Sequence, residues 1–73
     1  MTKSLYSNEH KKLVEQLKKA RKEIGLDQKD VAKLLGKTQS FVSKIETGQR
    51  RIDVVQLRDF AKIYNKKISF FIE

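Results

Sequence analysis

The chain has 73 residues, 38% of them hydrophobic and 36% charged, with 17 Lys and Arg against 9 Asp and Glu for a formal net charge of +8. That length fits one domain spanning residues 1–73, no apolar run approaches the roughly 20 residues of a membrane span, and MTKSLYSNEH lacks the apolar stretch and cleavage site of a signal peptide. With no cysteine and one histidine, His10, disulfides and thiolate metal sites are excluded, and neither metal nor cofactor is expected.

Leu, Ile, Val and Phe fill 22 positions, about 30% of the chain and above the roughly 20% below which a highly charged chain stays disordered. A small core is therefore available. The pI of about 9.9 points to a polyanionic partner, nucleic acid or an anionic membrane.

Residues 1–6 read as a flexible leader. Leu13, Val14, Leu17, Ala20 and Ile24 then recur at helical spacing, which predicts a first helix from Ser7 or Asn8 to Ile24, closed by Gly25. Its lysines, Lys11, Lys12, Lys18, Lys19 and Lys22, read first as a solvated face. A basic amphipathic helix can also lie on an anionic membrane, but Glu9, Glu15 and Glu23 weaken that reading. His10 reads as an exposed residue of the first turn.

Asp27 is a plausible N-cap, with Asp30 as a capping-box partner, for a short second helix over residues 28–35. Val31, Leu34 and Leu35 give it an apolar face, and Gly36 stops it. Thr38 caps a third helix over residues 39–47, with Phe41, Val42 and Ile45 spaced to touch the body. Phe41 has two readings, packing beside the second helix or contact with a thymine methyl. Residues 48–52, GQRRI, read as a basic loop. Asp53 then caps a fourth pattern through Val54, Leu57, Ala61 and Tyr64, flanked by Phe60 and ending near Asn65. The tail ISFFIE alternates like a strand yet also fits a short terminal helix, which is the preferred reading.

Two short helices joined by a glycine-containing turn, the second rich in Gln, Ser, Thr and Lys, form the pattern of a DNA-reading helix-turn-helix over residues 28–47. Val31, Leu35, Val42 and Ile45 face inward, Ala32 sits where the helices cross, and Gly36 fills the turn. The stretch LDQKDVAKLLGKTQSFVSKIETGQRRID resembles the phage-repressor and Cro-like (XRE-type) helix-turn-helix family. LRDFAKIYNKKISFFIE and KKARKEIGLDQ extend that resemblance over residues 13–72. It implies an all-α, compact four- to five-helix, lambda-repressor-like domain that places its third helix in the DNA major groove, usually as a homodimer on a palindromic site. Lys37 departs from the family, whose residue after the turn glycine is often apolar.

By the same resemblance, Gln28, Gln39, Ser40, Ser43 and Lys44 fall where the family contacts DNA. Their chemistry fits independently, since Gln pairs with adenine, Lys donates to guanine and Ser serves either. Arg21, Thr38, Gln49, Arg50 and Arg51 are the expected phosphate contacts, with Gln28 also near a helix N-terminus. Arg21 and Glu46 match a family salt bridge beside the phosphate, so Arg21 is expected to divide itself between Glu46 and DNA. Ile68, Phe70, Phe71 and Ile72 form a dense apolar patch, read either as a homodimer interface or as partial burial against the first helix. The expected function is sequence-specific double-stranded DNA binding by a small cytoplasmic, nucleoid-associated regulator, a repressor by preference and not an enzyme. An antitoxin that binds a toxin and its own promoter, or a protein adaptor, are the alternatives.

Overall fold

The computed structural model describes residues 8–72. The expected leader at residues 1–6 and the alternative start at Ser7 lie outside them. Five helices follow in order: α1 Asn8–Glu23, α2 Gln28–Leu35, α3 Gln39–Glu46, α4 Val54–Tyr64 and α5 Ser69–Ile72. Among the described residues there is no strand, so the all-α expectation holds and the tail is helical.

Capping chemistry sets these boundaries. Asp30 donates its backbone N–H to Asp27 Oδ1 at 2.8 Å, and Asp27 returns its own N–H to Asp30 Oδ2 at 3.3 Å. Phe41 donates to Thr38 Oγ1 at 3.2 Å to start α3. Asp53 and Gln56 form a second reciprocal box, Gln56 N–H to Asp53 Oδ1 at 2.7 Å and Asp53 N–H to Gln56 Oε1 at 3.1 Å. Each pair supplies acceptors to amides that have no partner within their helix.

The helix ends close alike. Leu26, Lys37, Gln49 and Lys66 each donate to the carbonyl five residues earlier, after a residue of positive φ at Gly25, Gly36, Gly48 or Asn65. At Gly36 this conformation, φ 70° and ψ 30°, lets the chain reverse within three residues between α2 and α3. α1 consequently ends at Glu23, one residue before Ile24, which is expelled to 43% exposure. Leu26, just past the glycine, packs against the core instead.

α1 packs on α3, α4 and α5, and α2 lies across α3 and α4. Phe60, Leu17, Ile45, Val31 and Val42 are the largest fully buried side chains, so four helices contribute to the centre. Ala32 is buried in the core, while Leu35 is half-buried against it. Four further expectations need correction. Phe60, read as flanking, is the largest of the fully buried side chains, whereas Val54 is 67% exposed. At about 100° per residue the inward arc of α4 centres among Leu57, Phe60, Ala61 and Tyr64, and Val54 falls at its edge in the first turn. Leu34 is 63% exposed for a similar reason, lying beyond the arc set by Val31 and Ala32. His10 is half-buried, because Leu13, Val14 and Leu17 follow it at helical spacing on the inward stripe.

Of the two readings of the carboxyl-terminal patch, partial burial against α1 is the one the structure displays. Phe71 is 3% exposed and belongs to the core of its own chain, and Ile68 and Phe70 are half-buried against that core. The adjacent rings fit because they meet edge to face, with centroids 5.1 Å apart at 89°. Lys66 Nζ covers Phe70 at 4.7 Å, and Gln16 Nε2 donates to the Phe70 carbonyl at 3.3 Å, tying α5 to α1. Of the four residues read as a patch, Ile72 alone is exposed, at 61%.

Candidate nucleic-acid interface

α3 turns Val42, Ile45 and Glu46 inward and leaves Gln39, Ser40 and Lys44 exposed, with Ser43 half-buried beside them. Gln39 and Ser43 are one turn apart, as are Ser40 and Lys44, so the four side chains occupy one arc of about 140°. These four expected base-reading residues therefore share a face. Gln28, the fifth, lies at the start of α2 with its side chain on a different task. It is half-buried and its Nε2 donates to Glu46 Oε1 at 3.0 Å.

Glu46 is the buried charged residue of the structure, 3% exposed. Arg21 grips it side-on through one edge of the guanidinium, Nε to Oε2 at 2.8 Å and Nη2 to Oε1 at 3.1 Å. Nη1 donates to the Leu26 carbonyl at 3.0 Å, so the same side chain also holds the α1–α2 corner. The hydrogen bond to Glu46 raises the Arg21 pKa against the opposing effect of burial. The expected Arg21–Glu46 pair is present, and it cancels the one acidic side chain of α3. The exposed arc is left without negative charge, which suits a polyanion.

Arg21 has five N–H donors, of which three are committed here. The side chain that carries the remaining two is only 12% exposed. Tyr64 lies in the same region. Burial pushes its phenol well above the ordinary range, Glu46 adds to the rise and Arg21 opposes it. Its hydroxyl is buried with no hydrogen-bond partner among the described residues.

The basic loop after α3 is held against the helix end. Gln49 and Arg50 both donate backbone N–H groups to the Lys44 carbonyl, at 2.9 and 3.2 Å. Gln49 Nε2 donates to Thr47 Oγ1 at 3.0 Å, and that hydroxyl donates in turn to the Ser43 carbonyl at 3.0 Å. Gln49, Arg50 and Arg51 are exposed beside the carboxyl-terminal end of α3, and Thr38 is exposed at its start. Phe41 is half-buried on the core, in keeping with the packing reading, and its ring also lies within cation–π reach of Lys37 and Arg50. Sequence reasoning missed that contact. The signal available was only a lysine four residues before an aromatic, and nothing local announces the arginine.

Among the described residues no group of three or more His, Cys, Asp or Glu is placed to hold a metal ion, and no helix is long and apolar enough to cross a membrane. A family model described as helix-turn-helix matches residues 17–71, from the middle of α1 to α5. Comparison with curated proteins finds no match.

Proposed function

We propose, from the premise that this chain belongs to the Cro/C1-type helix-turn-helix family of DNA-binding regulators, that it is a sequence-specific repressor placing α3 in the major groove of a palindromic operator. The observation that carries this reading is the α3 arc itself, where Gln39, Ser40, Ser43 and Lys44 share one face and the single α3 carboxylate is neutralised by Arg21. Gln39 offers a bidentate pair to adenine, Lys44 donates to guanine O6 or N7, and the two serines serve either kind of edge. Gln28 joins them from α2 through the part of its amide that Glu46 does not occupy.

Thr38, Gln49, Arg50 and Arg51 bracket α3 and fix its register by contacting phosphates, with Arg21 contributing through its remaining N–H groups. The protein acts as one domain in the cytoplasm on the nucleoid, as a homodimer whose two recognition helices lie about 34 Å apart, one turn of DNA. Ile72, the exposed member of the carboxyl-terminal segment, is the residue available there to a second copy. It requires no cofactor and catalyses no reaction.

Lys44→Ala and Arg51→Ala separate base reading from phosphate contact. Lys44→Ala is expected to relax preference at one position of each half-site by about 1–3 kcal/mol, measured by competition among operator variants. Arg51→Ala is expected to weaken all sequences alike and to reduce the slope of log affinity against log salt by about 1. Uniform weakening by Lys44→Ala would remove it from the base-reading set.

A further inference from the structure

The start of α3 carries a feature that the base-reading arc does not use. Phe41 occupies the third position of the helix, with part of its ring on the core. Lys37 Nζ lies 5.4 Å from the ring centroid and the Arg50 guanidinium carbon 4.9 Å from it. One cation comes from the turn before α3 and the other from the loop after it. A single ring thus gathers charges from both flanks of the recognition helix.

Among the described residues neither cation makes an ion pair with a carboxylate, and both side chains are exposed. Their heads stand within about one Debye length of each other, roughly 10 Å at 0.1 M salt, so they repel. Long side chains in this position gain entropy and lose repulsion by separating into solvent. The ring opposes that separation through its negative face. An anion received by both heads would offset that repulsion with its attraction to each. The anions that border a helix lying in the major groove are phosphodiesters, and ammonium and guanidinium groups both donate to phosphate oxygens.

We propose that Lys37, Phe41 and Arg50 form a phosphodiester clamp, in which Lys37 is a DNA contact alongside Arg50 and Phe41 is the positioning residue that holds both cations ready. The clamp rests on the DNA-binding reading above and adds to it a contact at the turn, where Lys37 departs from the apolar residue common in the family.

The test is a double-mutant cycle of Lys37→Ala and Phe41→Leu, each variant first checked for folding by circular dichroism. Binding is measured on an enriched duplex and on an unrelated duplex of equal length, from about 0.05 to 0.2 M salt. Lys37→Ala is expected to weaken both duplexes by the same factor and to lower the salt slope by about 1. Phe41→Leu, which retains apolar bulk, is expected to cost about two- to five-fold for each cation released. Lys37→Ala should then cost less in the Phe41→Leu background than in the wild type. In the free protein, the side-chain protons of Lys37 should show an upfield ring-current shift by NMR that Phe41→Leu abolishes.

An unchanged affinity and slope for Lys37→Ala, or an equal cost in both backgrounds, overturns the clamp while leaving the DNA-binding reading intact. A wild type that binds neither duplex overturns the DNA-binding reading and the clamp with it, even if the ring-current shift is present. Should Phe41→Leu not fold, Lys37→Ala and Arg50→Ala form the cycle instead. The double variant should then cost less than the product of the single effects if the two cations share a phosphate, and independent effects overturn the proposal.

Discussion

Replacing Glu46 by Ala removes the acceptor of three hydrogen bonds, from Arg21 Nε at 2.8 Å, Arg21 Nη2 at 3.1 Å and Gln28 Nε2 at 3.0 Å. Glu46 is 3% exposed and the Arg21 side chain 12%, so water reaches the severed donors poorly. Removing one member of a buried pair costs about 3–5 kcal/mol, most of it the penalty of an uncompensated charge. Arg21 keeps its bond to the Leu26 carbonyl and some solvent contact, which puts the expected loss near the lower end, about 3 kcal/mol. A domain of this size has a total stability of roughly 4–11 kcal/mol. The variant should therefore melt about 12–24 °C lower, at about 4–8 °C per kcal/mol. Urea and thermal unfolding followed by circular dichroism measure both quantities. The double variant Arg21→Met, Glu46→Leu should recover much of the loss, because desolvation offsets most of the attraction in the intact pair. A loss below about 1 kcal/mol for Glu46→Ala, with an unchanged urea slope, would refute the reasoning that this pair joins α1 to α3.

Phe71→Ala should cost about 3–5 kcal/mol in urea unfolding because the ring fills the core of its own chain, whereas Ile72→Asp should leave stability within about 0.5 kcal/mol. A well-folded Phe71→Ala protein of wild-type stability would return Phe71 to the surface. Tyr64→Phe removes a buried hydroxyl without a partner and is expected to be neutral or stabilising by up to about 2 kcal/mol; destabilisation beyond about 1 kcal/mol would reveal a hydrogen bond to that oxygen. The Asp27 carboxyl is held below its ordinary 3.8 by the Asp30 backbone N–H, so it contributes stability that is complete above pH 3.8 and disappears as pH falls through the folded value. Asp27→Asn retains a capping oxygen but does not titrate. The difference between wild-type and variant urea midpoints should shrink as pH falls below about 4, and parallel profiles would contradict the capping role.

The sequence discloses this architecture where local chemistry is decisive. Asp27, Thr38 and Asp53 start helices because their oxygens meet amides three residues on, and Gly25, Gly36 and Gly48 end them in a conformation other residues avoid. The Arg21–Glu46 pair is legible only through the family resemblance, since nothing in either residue's neighbourhood indicates a partner 25 positions away. Periodicity identifies the faces of α2 and α4 but not how wide an arc each buries, which is why it turns Leu34 and Val54 inward and leaves Phe60 at the flank. The alternation of Ile68, Phe70 and Ile72 leaves strand and helix both open for the tail, and the short helix that forms buries Phe71 while Phe70 meets it edge to face. Of the contacts that join Lys37, Phe41 and Arg50, only the four-residue spacing of Lys37 and Phe41 is visible in the chain, and the approach of Arg50 depends on the loop folding back on the end of α3.

Selection from a random duplex DNA library with the purified protein, at about 0.15 M salt to suppress purely electrostatic retention, tests the central claim most directly. The account predicts enrichment of a palindrome whose two short half-sites are centred about 10 base pairs apart. Failure to enrich any motif would contradict it, leaving the basic surface to non-specific binding or to a protein partner such as a toxin.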